Sequence, residues 1–267
     1  MGIEVFNRVE KKFLIDQETY EKLKFYLMDK LEEDAYNEAH GFYTISNIYY
    51  DTPHSDLIRR SLEKPMYKEK LRLRAYGVPT AEDFVYLEIK KKFDGIVNKR
   101  RSHMKLDEAY DFVSSKQLPE AKPYHNKQVL KEIDFMLDRY DLSPSTYIAY
   151  DRHALFKDDL RITFDTNIRS RHTDLFLEAG DHGDLLLPEG QWLMEVKAGH
   201  SLPLWLAREL SELKIFSSSF SKYGKVFTRF MEDHSDDHDL YYKEKGETIL
   251  CLNPYLVAQH LQRQPSR

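Results

Sequence analysis

The chain has 267 residues, of which 41% are hydrophobic and 32% charged, and its net charge is −5 at pH 7. This composition is typical of a globular protein with a substantial core, and the negative net charge gives no general attraction to nucleic acid or acidic membranes. The single cysteine, Cys251, excludes an internal disulfide and a multi-cysteine metal site. There is no bilayer-length apolar run and no signal peptide pattern at the N-terminus, so we expect a cytoplasmic protein.

Taken in chain order, the periodicity of the apolar residues predicts a mixture of strands and helices. Predicted strands cover residues 5–15, 43–50, three pieces within 69–104, then 146–152, 160–168 and 192–198. Predicted helices cover residues 17–30, 55–62, 106–113, 127–140, 203–213 and 219–231, and residues 169–190 are predicted to be a loop. Without an internal repeat or a long linker, we expect one domain over residues 1–231. Residues 232–267 would then be a tail that is partly helical or disordered.

The three strand-like pieces within residues 69–104 carry charged side chains on one face and apolar side chains on the other. The side chains that share the charged face are Lys70, Arg72 and Arg74 in the first piece, Tyr86, Glu88, Lys90 and Lys92 in the second, and Lys99, Arg101 and His103 in the third. Like charges opposite each other destabilise a sheet. A bound anion would explain such a face, although a solvated outer face is the alternative interpretation.

The same alternation recurs in the other predicted strands. The basic residues placed on the charged faces are Arg8, Lys12, Lys70, Arg72, Arg74, Lys90, Lys92, Lys99, Arg101, Arg152, Arg161 and Lys197, and the acidic ones are Glu10, Glu88, Asp165 and Glu195. A strongly basic face within an acidic protein indicates a long bound anion, since arginine and lysine are the usual phosphate ligands. The few carboxylates would position a divalent ion.

The last predicted helix adds a basic stripe of Lys222, Lys225 and Arg229, whose alternative interpretation is ordinary surface charge. The sequence has only 10 glycines and no Gly-rich phosphate loop, so we do not expect phosphate to be held by a backbone cradle.

Eight short motifs follow one another along the chain. They are Arg8-x-Glu10-x-Lys12, Tyr50-Asp51-Thr52-Pro53, Leu71-Arg72-Leu73-Arg74, Leu87-Glu88-Ile89-Lys90, Tyr150-Asp151-Arg152, Arg161-Ile162-Thr163-x-Asp165, Glu195-Val196-Lys197 and Ser221-Lys222-Tyr223-Gly224-Lys225. Over about residues 3–231 the chain resembles the catalytic domain of the vacuolar transporter chaperone (VTC) family, the polyphosphate polymerases. That family belongs to the triphosphate tunnel metalloenzymes.

The resemblance implies an α+β fold in which a closed antiparallel β-barrel forms a tunnel, with helices packed outside it. It also implies a metal-dependent phosphotransferase that moves the γ-phosphate of ATP onto a growing inorganic polyphosphate chain, with Mn²⁺ or Mg²⁺ as cofactor. The expected partners are therefore ATP and polyphosphate rather than nucleic acid. No membrane segment is expected in this chain, and a membrane partner stays open.

From the resemblance and the charged faces together we assign candidate roles. The candidate catalytic residues are Arg72, Arg74, Arg152, Arg161 and Lys222; the candidate phosphate-binding residues are Lys12, Arg8, Lys90, Lys99, Arg101, Lys197 and Lys225; and the candidate metal ligands are Glu195, Glu10 and Glu88.

One departure from the wider superfamily bears on the reaction. The related triphosphatases typically begin with Glu-x-Glu-x-Lys, whereas Arg8 stands at the first position here. Replacing a metal-binding carboxylate by a cation disfavours metal activation of a hydrolytic water and favours transfer between phosphates. The alternatives that stay open are a triphosphatase acting on tripolyphosphate or a nucleoside triphosphate, and a non-catalytic module that binds polyphosphate.

Overall fold

A computed structural model describes residues 9–37, 41–234, 241–244 and 247–250. The strands in these residues are β1 (Val9–Asp16), β2 (Glu32–Glu33), β3 (Tyr43–Asp51), β4 (Tyr67–Tyr76), β5 (Phe84–Phe93), β6 (Ile96–Lys105), β7 (Ser143–Lys157), β8 (Leu160–Arg171), β9 (Asp184–Leu185), β10 (Gln191–Ala198), β11 (Tyr241–Glu244) and β12 (Glu247–Leu250). The helices are α1 (Gln17–Met28), α2 (Asp56–Leu62), α3 (Leu106–Ser115), α4 (Lys127–Arg139), α5 (Leu204–Glu212) and α6 (Lys222–Asp233).

The mixed α+β class is confirmed, and most predicted elements occur within a few residues of the predicted bounds. The largest difference is in β7, which ends at Lys157 rather than at residue 152. Helix α6 begins at Lys222 rather than at residue 219. The residues before it are held by β1: the backbone N–H of Ser218 donates to the carbonyl of Lys12 at 2.7 Å. Strands β11 and β12 pair as an antiparallel hairpin in the tail, which was not predicted.

The predicted closure of the sheet is wrong. Hydrogen bonding links the strands in the order β1-β10-β8-β7-β3-β4-β5-β6, and β2 and β9 pair with β7 and β8. In the part of the chain that the structure describes, no pairing joins the two edge strands, β1 and β6. Alternation along a strand reports which side chains share a face, whereas closure depends on strand tilt and stagger, which period-two patterns do not encode.

The chain divides into two compact units, each assembled from separate segments. The first unit contains the described residues of Met1–Ile45, Ala149–Arg169 and Leu185–Ser221, and the second those of Ser46–Ile148, Ser170–Asp184 and Lys222–Arg267. The single domain expected over residues 1–231 stays a prediction.

The core of the first unit lies on the apolar face of β1, β8 and β10. Phe13, Phe164 and Met194 project from these strands and pack against Leu23 of α1 and Leu206 of α5. Asp16 accepts a hydrogen bond from the backbone N–H of Thr19 and so caps α1. The opposite face of the same strands is therefore left for the charged side chains.

The second unit has the equivalent arrangement on β4, β5 and β6. Leu71, Leu73, Leu87 and Ile89 are buried, and α3 and α4 contact β5 and β6. The predicted division of these strands into an apolar and a charged face is confirmed. No helix in the described residues is long and apolar enough to cross a membrane.

A buried carboxylate connects α2 and α6 within the second unit. Asp51 is 0% exposed, and it accepts hydrogen bonds from the backbone N–H groups of Leu57 at 2.9 Å and Ile58 at 3.0 Å and from the hydroxyl of Tyr223 at 2.8 Å. Burial raises the pKa of Asp51, although these donors oppose that shift. The Tyr223 hydroxyl also lies 3.3 Å from the hydroxyl of Ser145.

Tyr223→Phe removes the hydroxyl that satisfies Asp51 and should lower the free energy of unfolding by about 1–3 kcal/mol, because a buried acceptor loses a donor. Urea denaturation followed by circular dichroism measures the change. The matched control is Tyr76→Phe, at a tyrosine that is 41% exposed, where we expect a smaller effect. Equal stability of the two variants would contradict the role given to the Tyr223 hydroxyl.

Candidate functional site

Cross-strand pairing in the second unit brings the predicted basic residues together. Strands β4, β5 and β6 pair antiparallel. Alternate residues of each strand therefore lie on the same face of the sheet, in rows that cross the three strands. The two central rows are Arg72, Glu88 and Arg101, and Lys70, Lys90 and Lys99. We call the charged side chains of β4, β5 and β6 on this side the basic face.

Glu88 is the carboxylate at the centre of the basic face, and it is only 1% exposed. Its carboxylate lies 2.6 Å from Nε of Arg72, 2.8 Å from Nζ of Lys99 and 3.9 Å from Nε of Arg74. Burial alone would raise the pKa of Glu88, but the three cations outweigh it and hold the pKa well below its ordinary value. Glu88 is therefore ionised at neutral pH and compensates part of the positive charge.

The two arginines of β4 are also oriented by neighbours on β3. Nε of Arg74 donates to the side-chain oxygen of Asn47 at 2.9 Å, and Nη1 of Arg72 donates to the hydroxyl of Tyr49 at 3.2 Å. Arg74 is 7% exposed and so is less accessible than Arg72. Asn47 and Tyr49 were not predicted as site residues, since no local sequence signal shows that β3 pairs beside β4.

The other candidates of the second unit differ in exposure. Lys90 is half-buried on the basic face, and Arg101 is exposed with its guanidinium 4.4 Å from the ring centre of Tyr86. On α6, Lys222 is half-buried and Lys225 is exposed. Their predicted roles in binding phosphate stay predictions.

Lys70 was placed on the basic face but given no role by the sequence. Its ammonium lies 5.5 Å from the ring centre of Tyr223 and opposite Lys90 in the β4–β5 register. Burial, with a further contribution from Lys90, lowers the pKa of Lys70 to about 8.

The first unit brings together a second group of candidates, centred on Lys12. Its ammonium lies 3.3 Å from the carboxylate of Glu10 and 3.4 Å from that of Glu195, and it donates to the carbonyl of Phe220 at 3.1 Å. Burial lowers the pKa of Lys12, but the two carboxylates outweigh it and raise the pKa overall. Glu195 also contacts the ammonium of Lys197.

The two candidate arginines of the first unit are both paired with aspartates. Arg152 makes a bidentate pair with Asp165, through Nε at 2.6 Å and Nη2 at 2.8 Å. Arg161 is more exposed, and its Nη2 lies 2.5 Å from Asp34. Asp165 was recognised as a member of the charged face but not as the partner that orients Arg152.

The three candidate metal ligands do not fit a divalent ion equally well. Glu10 and Glu195 both approach Lys12, and Thr163, whose buried hydroxyl lacks a hydrogen-bond partner, is paired with Glu195 in the β8–β10 register. Two carboxylates with nearby oxygens fit an ion such as Mg²⁺, which completes its coordination with water and substrate phosphates. Glu88 fits less well, because its carboxylate is only 1% exposed and lies against three cations, whereas the side chain of Glu195 is 14% exposed.

The described residues contain no group of three or more His, Cys, Asp or Glu side chains placed to hold a metal. A metal site at Glu10 and Glu195 would therefore depend on oxygens of the substrate. Arg8, the remaining candidate, lies outside the described residues.

Several solved structures are similar to this chain. A candidate adenylate cyclase from Bacillus halodurans matches 83% of this chain and 96% of its own at 15% identity and a TM-score of 0.50, which indicates a common fold. A candidate adenylate cyclase from Vibrio parahaemolyticus has 13% identity, a TM-score of 0.43 and coverage of 83% and 98%. A candidate adenylyl cyclase from Hippeastrum with a dominant triphosphatase activity has 15% identity, a TM-score of 0.43 and coverage of 81% and 93%.

The family to which the chain belongs is identified by a match to its sequence. The model of the VTC domain matches residues 7–230, so the chain belongs to the VTC domain family. No curated protein matches the chain at a significant level. The match spans both units and includes every candidate residue named above.

Glu88→Gln should lower the free energy of unfolding by about 3 kcal/mol at pH 7, because it leaves buried cations uncompensated. The pKa of Glu88 in the folded state is depressed below its ordinary 4.5. Its contribution to the free energy of unfolding is therefore fully present above pH 4.5 and is lost as the pH falls from 4.5 through the folded-state pKa. The stability difference between wild type and variant should therefore shrink in acid.

Urea denaturation of both proteins from pH 7 to pH 3 measures this difference. The control is Glu82→Gln, whose exposed carboxylate pairs with Lys105 and should contribute about 0–1 kcal/mol. A difference between wild type and Glu88→Gln that does not change with pH would contradict the ion-pair role of Glu88.

Proposed function

We propose that this protein is a polyphosphate polymerase, which transfers the γ-phosphate of ATP to a growing inorganic polyphosphate chain. The observation that carries the proposal is the basic face, where Arg72, Arg74 and Lys99 surround one buried carboxylate in a member of the VTC domain family. Glu88 compensates only part of that charge. A polyanion is the ligand that would compensate the remainder.

In this proposal Arg72 and Arg74 hold neighbouring phosphoryl groups. They are two residues apart on β4, so their Cα atoms are about 6.6 Å apart along the strand, at about 3.3 Å per residue. A guanidinium can form two parallel hydrogen bonds to one phosphate, which an ammonium cannot. Glu88 acts by fixing the orientation of Arg72, through the 2.6 Å contact at Nε.

In the first unit, Glu195 and Glu10 are the proposed ligands of a divalent ion, Mn²⁺ or Mg²⁺, and Lys12, Lys197, Arg152 and Arg161 are proposed to bind phosphate oxygens. The ion, when bound, would neutralise charge on phosphate oxygens. Lys12 contacts both carboxylates and so keeps them close to each other. Arg152 is kept in a single orientation by its bidentate pair with Asp165.

The chemistry that these side chains must supply is positioning and charge neutralisation, which dominate phosphoryl transfer. The acceptor is a terminal phosphate oxygen of polyphosphate, which is already ionised at neutral pH, so the transfer needs no general base. Oxygen of the acceptor attacks the γ-phosphorus of ATP, the bond to the bridging oxygen breaks, and ADP leaves with the electron pair. Lys222 and Lys225 of α6 would add positive charge for the same phosphates.

One assay separates this activity from the alternatives. Purified protein is incubated with ATP and Mn²⁺ or Mg²⁺, and the products are resolved on a gel and assayed for free phosphate. Long chains identify a polymerase, free phosphate alone identifies a triphosphatase, and neither product identifies a binding module. Either of the last two results would reject the proposal.

Arg72→Lys should reduce polymer synthesis at saturating ATP and metal by tenfold or more, because loss of a transition-state contact of about 1.4 kcal/mol already costs a factor of ten. The matched control is Arg100→Lys on the same sheet, because Arg100 pairs with Glu132 away from the basic face. Initial rates of ADP release measure both variants. Near-wild-type synthesis by Arg72→Lys would remove this residue from the proposed machinery.

Glu195→Gln retains the shape of the side chain and removes the charge that would hold the metal. We expect binding of Mn²⁺, followed by electron paramagnetic resonance, to weaken by tenfold or more, whereas binding of tripolyphosphate without metal should change little. The control is Glu189→Gln, at an exposed carboxylate in the loop before β10. Unchanged Mn²⁺ binding by Glu195→Gln would reject the metal role, whatever the effect on turnover.

A further inference from the structure

The basic face continues beyond the arginines to the far end of β4. Lys70 and Lys68 follow Arg72 on the same side, in register with Lys90 and Lys92 of β5. From Arg74 to Lys68 the row of cations extends over six residues, or about 20 Å at about 3.3 Å per residue. The three phosphates of ATP or tripolyphosphate are much shorter than this row.

The two ends of the row differ in their acidic partners. The arginine end contains Glu88, whereas no carboxylate forms an ion pair with Lys68, Lys70 or Lys92 within the residues that the structure describes. Glu69, between Lys68 and Lys70 in sequence, is buried on the other side of the strand, where it accepts hydrogen bonds from tyrosine hydroxyls.

The electrostatics of this lysine end are correspondingly unfavourable. Burial lowers the pKa of Lys68, and the nearby charges of Lys92 and Lys64 lower it further. Burial also lowers the pKa of Lys70, and both Lys90 and Lys68 add to that shift, whereas Tyr49 and Asp51 oppose it. The folded chain thus places several ammonium groups together at a cost that an anion would remove.

We infer that Lys68, Lys70 and Lys92 form a binding subsite for the polyphosphate chain beyond the phosphates held by Arg72 and Arg74. This inference rests on the proposed function and assigns these lysines to the part of the substrate that does not react. The subsite makes affinity depend on chain length, because only a ligand longer than a triphosphate reaches it from the arginines.

The chemistry of this surface favours polyphosphate over single-stranded nucleic acid. Nonspecific binding of a nucleic-acid strand relies on aromatic side chains on which successive bases stack. The four positions of the lysine end on β4 and β5 are all lysines, and the side chains of the adjacent residues Tyr67 and Phe93 point to the other side of the sheet. The ring of Tyr223, 5.5 Å from the ammonium of Lys70, is buried and cannot stack on a base. Polyphosphate has no bases to stack, so lysine side chains are sufficient to bind it.

The experiment compares Lys68→Gln/Lys92→Gln with wild type by calorimetric titration without ATP. The ligands are tripolyphosphate, a polyphosphate long enough to span the basic face, and a single-stranded oligonucleotide of matched charge. The control is Lys91→Gln/Lys116→Gln, which removes two lysines that pair with Glu132 and Asp141 away from the basic face. Thermal melts establish that each variant is folded.

We expect the Lys68→Gln/Lys92→Gln variant to bind the long polyphosphate at least tenfold more weakly than wild type and to bind tripolyphosphate with less than a twofold change. The control should bind both ligands like wild type. Equal losses for both lengths, no loss for either, no binding of polyphosphate by wild type, or equally tight binding of the oligonucleotide would each overturn the inference. Because no turnover is involved, these results are independent of the assay that decides whether the protein is a polymerase.

Discussion

The ion pairs of the buried Glu88 are the interaction on which the basic face depends. Three cations converge on a carboxylate that is only 1% exposed, and without it Arg72, Arg74 and Lys99 would repel one another at close range. One carboxylate compensates one charge, so the face stays positive even with Glu88 ionised. In the proposed function this positively charged surface would be the site of the anion. The remaining repulsion between the cations of the basic face lowers the stability of the folded protein, and a bound polyanion would offset that loss.

In the first unit, unlike the second, the cations and carboxylates nearly balance, which favours a different kind of ligand. Its cations are matched nearly one for one: Lys12 and Lys197 with Glu10 and Glu195, and Arg152 with Asp165. Such pairs cancel most of their own field. Carboxylates in this setting can accept a divalent ion together with phosphate, whereas the surplus of cations in the second unit suits phosphate alone. In the proposed function the metal would therefore be held by Glu10 and Glu195, and Glu88 would position Arg72.

Fold and activity are supported by different observations. The likeness to the Bacillus halodurans protein, at 15% identity and a TM-score of 0.50, supports the fold alone. Because one fold can serve several reactions, the activity has to be argued from the charged residues themselves. Membership in the VTC domain family supports a polyphosphate-related function.

The sequence by itself determined which side of each strand is charged, since side chains alternate with a period of two and Leu71 and Leu73 had to lie opposite Arg72 and Arg74. It also predicted most helices, because caps such as Asp16 act on adjacent residues. Only the tertiary structure decided that Asn47 orients Arg74, that Tyr223 satisfies Asp51 from 172 residues away, and that β1 and β6 do not pair in the described chain. Those features depend on strand order and stagger, which are set by packing between distant segments and leave no periodic trace in the sequence.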